Sequence, residues 1–408
     1  MKYTQEDFIA ALGVTSPHET FFDGYEQSMA EYNSKGAFFL EDGFVSALQE
    51  QWHFLEEKYS FVMRELQRVR ENELAAGYSY LLYKMLLRNV GKPRITLAER
   101  PLFDDVGLTV DFEMAAYFSL LAFAPDMISS HKKRGLPDKV IADTLEDCFE
   151  GTIKLRGVTH GRDGFDDKTY FAWNQLYTDC TIIRIGVLNF EMKHKFGKQV
   201  KVFKNDLGEY KILSLDREIA EDGYVAGSAG YPDAVFVAEY TETDNEYIGY
   251  PVDMSRARVS DEKIALRRDE WREVLSEGDG VVSVHIPTGV SITEENCVAA
   301  YRECFRIARE FYSEMGIKAL FCGSWLLDPN IENLIKKKSN IVNFGSQYLR
   351  YPIKSGGRAV FSFLFRRPFE RLEDLPENTS LERAVKKHYL DGKYVYEVAG
   401  VIFEDMLG

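Results

Sequence analysis

The chain has 408 residues, 45% hydrophobic and 28% charged, which is ordinary globular composition with room for two domains. Its formal charge of −15 argues against non-specific binding to DNA or RNA and against adhesion to anionic lipid, each of which needs a basic footprint. Aromatic residues reach 13%, a high share that suits thick cores or a pocket with apolar walls.

The opening residues, MKYTQEDFIAAL, hold no apolar stretch long enough for a signal peptide. The longest apolar run, 115–124, is interrupted by Tyr117 and Ser119 and ends at Pro125. A membrane span needs roughly 20 apolar residues, so this run reads as a buried helix. Five cysteines without CxxC spacing read as reduced thiols, and the expected location is cytoplasmic. Seven histidines lack HExxH or HxxxH spacing, so no structural metal is expected.

Residues 41–89 read as one long helix, with Phe44, Leu48, Trp52, Leu55, Tyr59 and Val62 spaced three and four apart. A second helix covers 112–128, broken at Pro125, and a third covers 137–150 with Pro137 at its first position. After Gly151 the texture changes. Residues 180–190 (CTIIRIGVLNF) read as a strand, and 199–203 and 209–213 flank Asn205-Asp206-Leu207-Gly208 as a hairpin. Residues 234–240 read as a strand, 263–275 as a short amphipathic helix, and the segments between them as loops.

From Gly280 the pattern sharpens. A buried strand at 281–286 precedes Ser291-Ile292-Thr293-Glu294, which has capping-box spacing, and a helix over 293–315. A strand at 319–327 follows, then a helix opened by Asp328-Pro329. Strands at 349–353 and 359–365, a helix at 380–390 capped by Asn378 or Thr379, and a strand at 394–403 complete the chain. Strands alternating with helices imply a partly parallel sheet.

Four features could carry chemistry. Between Ile331 and Arg371 stand nine cations (Lys336, Lys337, Lys338, Arg350, Lys354, Arg358, Arg366, Arg367 and Arg371) against Glu332 and Glu370, a local balance of +7. Such a patch attracts a phosphate-bearing or carboxylate ligand, unless it is a solvated face balanced by distant acids. The turn from His285 to Ser291 opens a helix and offers free N–H groups, yet Glu294 and Glu295 in its first turn would repel a phosphate. His285 at a strand end is a general-base candidate or a hydrogen-bonded core histidine. In the run 321–329, Cys322 or Ser324 could be a nucleophile with His285 as base, or a core thiol and a helix cap, since GxSxG is absent. Glu191, after an apolar strand, could face a cleft as a base or lie exposed at an edge.

The runs IGVLNFE (185–191), VHIPTGVSIT (284–293), CGSWLLDPNI with SNIVNF (322–331 and 339–344) and LPENTSLERA (375–384) together resemble a bacterial family of two-domain acyltransferases. The resemblance implies an α/β (α+β) fold: a helical N-acyltransferase N-terminal domain, taken as 1–150, followed by a GNAT-like mixed-sheet domain, 151–408. It further implies acyl-CoA held where two neighbouring strands splay apart, and transfer of the acyl group to an amine on a small-molecule acceptor. The ordinary GNAT pyrophosphate signature, Q/R-x-x-G-x-G/A, is replaced here by Pro287-Thr288-Gly289-Val290-Ser291. Phosphate recognition would then move to Lys336, Lys337, Arg350 and Arg358, with Glu191, His285, Ser324 and Cys322 as the catalytic candidates. The alternative is a module that kept the GNAT-like sheet and lost catalysis, binding a ligand or regulating.

Overall fold

The computed structural model describes residues 3–13, 19–96, 110–335, 339–365 and 369–408. The chain divides into two compact units that meet in sequence at Ile185/Gly186.

The first unit is helical. The stretch read as one helix over 41–89 is three: Asp42–Trp52, Tyr59–Glu71 and Glu73–Asn89. The first ends where His53 adopts a left-handed conformation (φ 53°). The third starts at Asn72, whose side chain accepts from Leu74 N and Ala75 N, so an N-cap inside a continuous apolar stripe divides it. Pro125 likewise sits in the first turn of a new helix, Ala124–Arg134, after Val110–Leu121. Pro137 is the N-cap of Asp138–Glu146, one place before the expected position. A π-helical turn, Asp147–Gly151, then leads into Thr152–His160 and Asp167–Thr178, so helices continue well past the change of texture at Gly151. At that turn the buried Glu150 carboxylate accepts from Glu57 N (2.9 Å) and Lys58 N (3.2 Å) and pairs with Lys154. The predicted strand 180–190 is two strands, Ile182–Ile185 and Leu188–Lys195, separated at Gly186, whose φ of 57° suits glycine.

The second unit is built on a mixed sheet. Its strands are β1 (Leu188–Lys195), β2 (Gly280–His285), β3 (Ile317–Ser324), β4 (Leu349–Pro352) and β5 (Val398–Ile402), in the spatial order β1-β2-β3-β5-β4. Only β2 and β3 run parallel; the other pairs are antiparallel. The helix Glu294–Phe311 makes the crossover between them and buries Cys297, Tyr301, Cys304, Phe305 and Ala308. Thr293 is its cap, accepting from Asn296 N, in place of the expected Ser291–Glu294 box. The other face of the sheet packs Val281, Ala319, Tyr351, Ala399 and Val401 against Val200, Val202, Ile212 and Leu275 from the hairpin and its partner strand.

Three further expectations are corrected. Residues 263–275 form strands Ile264–Arg267 and Trp271–Leu275, because pairing with Glu246–Gly249 and Val200–Asn205 overrides their helical spacing. Residues 359–365 contain a π-helical turn, Phe361–Phe365; Phe361 and Phe365, four apart, are buried while Phe363 is exposed. Asp328-Pro329 opens a short 3-10 turn, Pro329–Asn333, and a separate helix, Asn340–Ser346, follows from Ser339.

One buried base makes the first unit sensitive to acid. His131 is 2% exposed, and its Nε2 has no hydrogen-bond partner. Burial, then the Arg134 charge, lowers its pKa to about 4. A folded pKa below the unfolded one gives stability that is present above pH 6.5 and lost as pH falls towards 4. Replacing His131 by Leu should therefore remove roughly 2–3 kcal/mol of the stability lost between pH 7 and pH 4.5. Denaturant melts of both proteins at the two pH values check this, and equal losses would refute it.

Candidate active site

The parallel ladder between β2 and β3 runs Gly280↔Ile317, Val281↔Ala319, Val282↔Leu320 and ends at Ser283↔Phe321. Both strands continue, held from outside. Val284 and His285 pair with Phe190 and Asn189 of β1, while Cys322, Gly323 and Ser324 pair with Gly400, Ala399 and Val398 of β5. The two strands therefore part beyond Ser283 and Phe321, which leaves the inner edges of 284–285 and 322–324 without a shared ladder. Such edges can pair with the amides of an extended ligand.

On one face of this parting, His285 Nε2 lies 3.2 Å from Glu191 Oε2. The side chains are 30% and 22% exposed. The two base candidates thus meet, although 94 residues separate them. Glu191 is opposite Ser283, inside β1 rather than after a strand, and cross-strand partners share a face. A third group went unnoticed in sequence. His194 stacks on Phe321 with ring centroids 5.4 Å apart and planes at 10°. Strand alternation would put residues 191 and 194 on opposite faces. The β1–β2 register, however, takes three steps from His194 to Glu191 against two from Val281 to Ser283. This bulge brings both onto the face of Ser283. Burial lowers the pKa of His194, the Glu191 charge opposes that shift, and His285 adds to it.

Cys322 and Ser324 do not join this group. Cys322 lies one residue from Phe321 on β3 and so points to the opposite face, towards the crossover helix. It is fully buried, and burial pushes its thiol up to about 12, with a hydrogen bond from Tyr348 acting the other way. Tyr348 in turn exchanges a 2.9 Å hydrogen bond with Tyr301 of the crossover helix. Ser324 Oγ accepts from Leu326 N and caps the turn Trp325–Leu327. Both therefore have the structural environment that was the alternative reading of each.

The described members of the basic run differ in environment. Arg350 is 7% exposed and donates to Met254 O (3.3 Å), Ser255 O (3.1 Å) and Glu332 Oε1 (3.3 Å). Arg358 is exposed, with its guanidinium 6.0 Å from the Phe361 ring centre. Lys336 and Lys337 lie outside the described residues. Among the described residues there is no group of three or more His, Cys, Asp or Glu able to hold a metal, and no helix long and apolar enough to cross a membrane.

The thiol environments give a direct test. Cys148, Cys297, Cys304 and Cys322 are buried and Cys180 only partly so. Iodoacetamide at pH 7.5 should add one label, at Cys180, and leave Cys322 unmodified until the protein is denatured. Peptide mass mapping checks it, and fast native labelling of Cys322 would contradict its placement.

Similarity to known proteins agrees with this architecture. Residues 182–402 match the family described as GNAT-like C-terminal domain, and residues 44–180 match the N-acyltransferase N-terminal domain. No curated protein matches. Among solved structures, an acyltransferase in complex with CoA and 10C-teicoplanin is similar over 98% of each chain, with a TM-score of 0.60 and 16% identity. An acyltransferase in complex with decanoyl-CoA and teicoplanin gives the same values. An acyltransferase mutant in complex with octanoyl-CoA matches over 88% of each chain, with a TM-score of 0.57 and 16% identity. At that identity the likeness speaks for the fold. The family match covers more than half of the chain, and the chain belongs to the two-domain acyltransferases that join an N-acyltransferase N-terminal domain to a GNAT-like C-terminal domain.

Proposed function

We propose that the protein transfers an acyl group from an acyl-CoA to an amine on a small-molecule acceptor, with the Glu191–His285 pair as general base. The observation that carries this reading is the end of the β2–β3 ladder at Ser283↔Phe321, beside that pair. The pantetheine arm of the acyl-CoA lies between the parted strands, and its amides take the hydrogen bonds that the strands no longer give each other. The bound CoA, octanoyl-CoA and decanoyl-CoA of the similar structures support the choice of donor, and teicoplanin supports an acceptor of natural-product type.

The chemistry balances within the site. His285 takes a proton from the acceptor ammonium, and the freed amine attacks the thioester carbonyl. The tetrahedral intermediate expels the CoA thiolate, and the second amine proton goes to that sulfur as the amide forms. The Glu191 carboxylate favours the imidazolium that appears when His285 accepts its proton. The thioester is already activated, so positioning and proton removal are what the protein must add.

Calorimetric titration with acetyl-CoA, octanoyl-CoA and decanoyl-CoA tests the donor. At least one should bind with a Kd well below 1 mM, and if none binds tighter than about 1 mM, or roughly −4 kcal/mol, the reading fails. With teicoplanin and simple primary amines as acceptors, release of the CoA thiol reports transfer. Glu191→Gln and His285→Ala should each slow it by about 100-fold and leave the donor Kd within about threefold. Unchanged rates would remove the pair from the mechanism.

A further inference from the structure

The face that carries Glu191 and His285 holds its charged and aromatic groups in a fixed order. On β2, Val281, Ser283 and His285 are successive residues of one face, and they stand opposite His194, Glu191 and Asn189. Glu191 therefore sits at the middle rung, with His194 at the inner rung and His285 at the outer one. The inner imidazole is clamped: its ring lies flat on Phe321, the last residue of the parallel ladder, and Phe321 meets Phe196 edge-on at 6.4 Å. The outer imidazole is bonded to the carboxylate and ends the strand beside the parting.

We propose that His194 is a positioning residue for this pair: held flat against Phe321, it closes the inner side of the Glu191 carboxylate and orients that carboxylate towards His285. The inference rests on the reading of Glu191–His285 as the base. One imidazole is fixed in an aromatic stack, and the other ends the strand where the thioester would lie. A mobile imidazole at the inner rung would compete with His285 for the Glu191 carboxylate; the stack on Phe321 holds it in place. A neutral His194 also matters to the reaction, because a second positive charge beside Glu191 would compete with the imidazolium that His285 forms. Burial favours the neutral form of His194, the Glu191 charge opposes this, and His285 adds to it. Phe321, on which its ring lies, and Phe196, which meets Phe321, carry no charge.

The bulge is what makes the arrangement possible. Without the bulge, regular alternation over the same three steps would turn the imidazole to the face covered by the crossover helix.

Two variants of the full chain separate this role from a merely structural one. His194→Phe keeps the stack and loses the nitrogens, whereas His194→Ala loses both. In His194→Phe, decanoyl-CoA thiol release should stay within about threefold of wild type. In His194→Ala the release rate should fall by about tenfold, with the donor Kd unchanged. If both variants keep the wild-type rate, or if His194→Phe loses as much as His194→Ala, His194 does not act through its stack and the proposal fails. If Glu191→Gln leaves the rate unaltered, the base assignment itself is wrong and the inference falls with it. Should His194→Ala prove unfolded, His194→Leu, which fills the site without an aromatic face, takes its place, and a wild-type rate in it would overturn the proposal.

Discussion

The second unit depends on one discontinuity: two parallel strands that pair for four rungs and then separate while each stays bonded to an outer neighbour. A parallel pair in the middle of a sheet ordinarily stays closed, since opening it strands backbone donors and acceptors. Here the antiparallel partners β1 and β5 hold the two strands to their ends. The opening is therefore a rigid feature of the sheet rather than frayed chain. Everything placed at its rim inherits that rigidity, which is what a positioned base requires.

The two faces of the sheet divide the work. Behind it, the crossover helix brings Tyr301 to Tyr348 and covers Cys322, and the fit is close. Gly400, opposite Cys322 on β5, has no room for a side chain, because a Cβ there would fall 2.7 Å from Tyr348 Cβ. Just beyond β3, buried Asp328 accepts from Asn330 N and Tyr396 N, and burial raises its pKa to about 6. That carboxylate ties the end of β3 to the chain entering β5. In front of the sheet, the same strands present Glu191, His194 and His285, which are partly exposed and mutually coupled.

Much of this was legible from residue order. Strand–helix–strand spacing over 280–324, a cap at Asn378 or Thr379, of which Thr379 is the one used, and the hairpin around Asn205–Gly208 follow from local rules that tertiary packing did not override. Glu191 and His285 could be picked out singly, because each is a titratable residue at the margin of an apolar strand. Their pairing could not, since it depends on an antiparallel register between segments far apart in sequence. His194 was hidden for a sharper reason. It follows the apolar run that marked the strand, and a bulge reverses the face that alternation would assign it. The helix expected over 263–275 failed because an amphipathic pattern in a short segment yields to strand partners supplied from elsewhere. Arg350 looked like part of an anion patch because charge clustering in sequence carries no information about burial.

The central claim is that the parted strands are where the acyl donor lies. Hydrogen exchange of the full chain with and without CoA tests it directly, peptide by peptide. CoA should slow exchange by at least ~10-fold in peptides covering 284–285 and 322–324, where backbone groups gain partners from the ligand. Protection that leaves both of those segments unchanged and appears only elsewhere in the chain would contradict it.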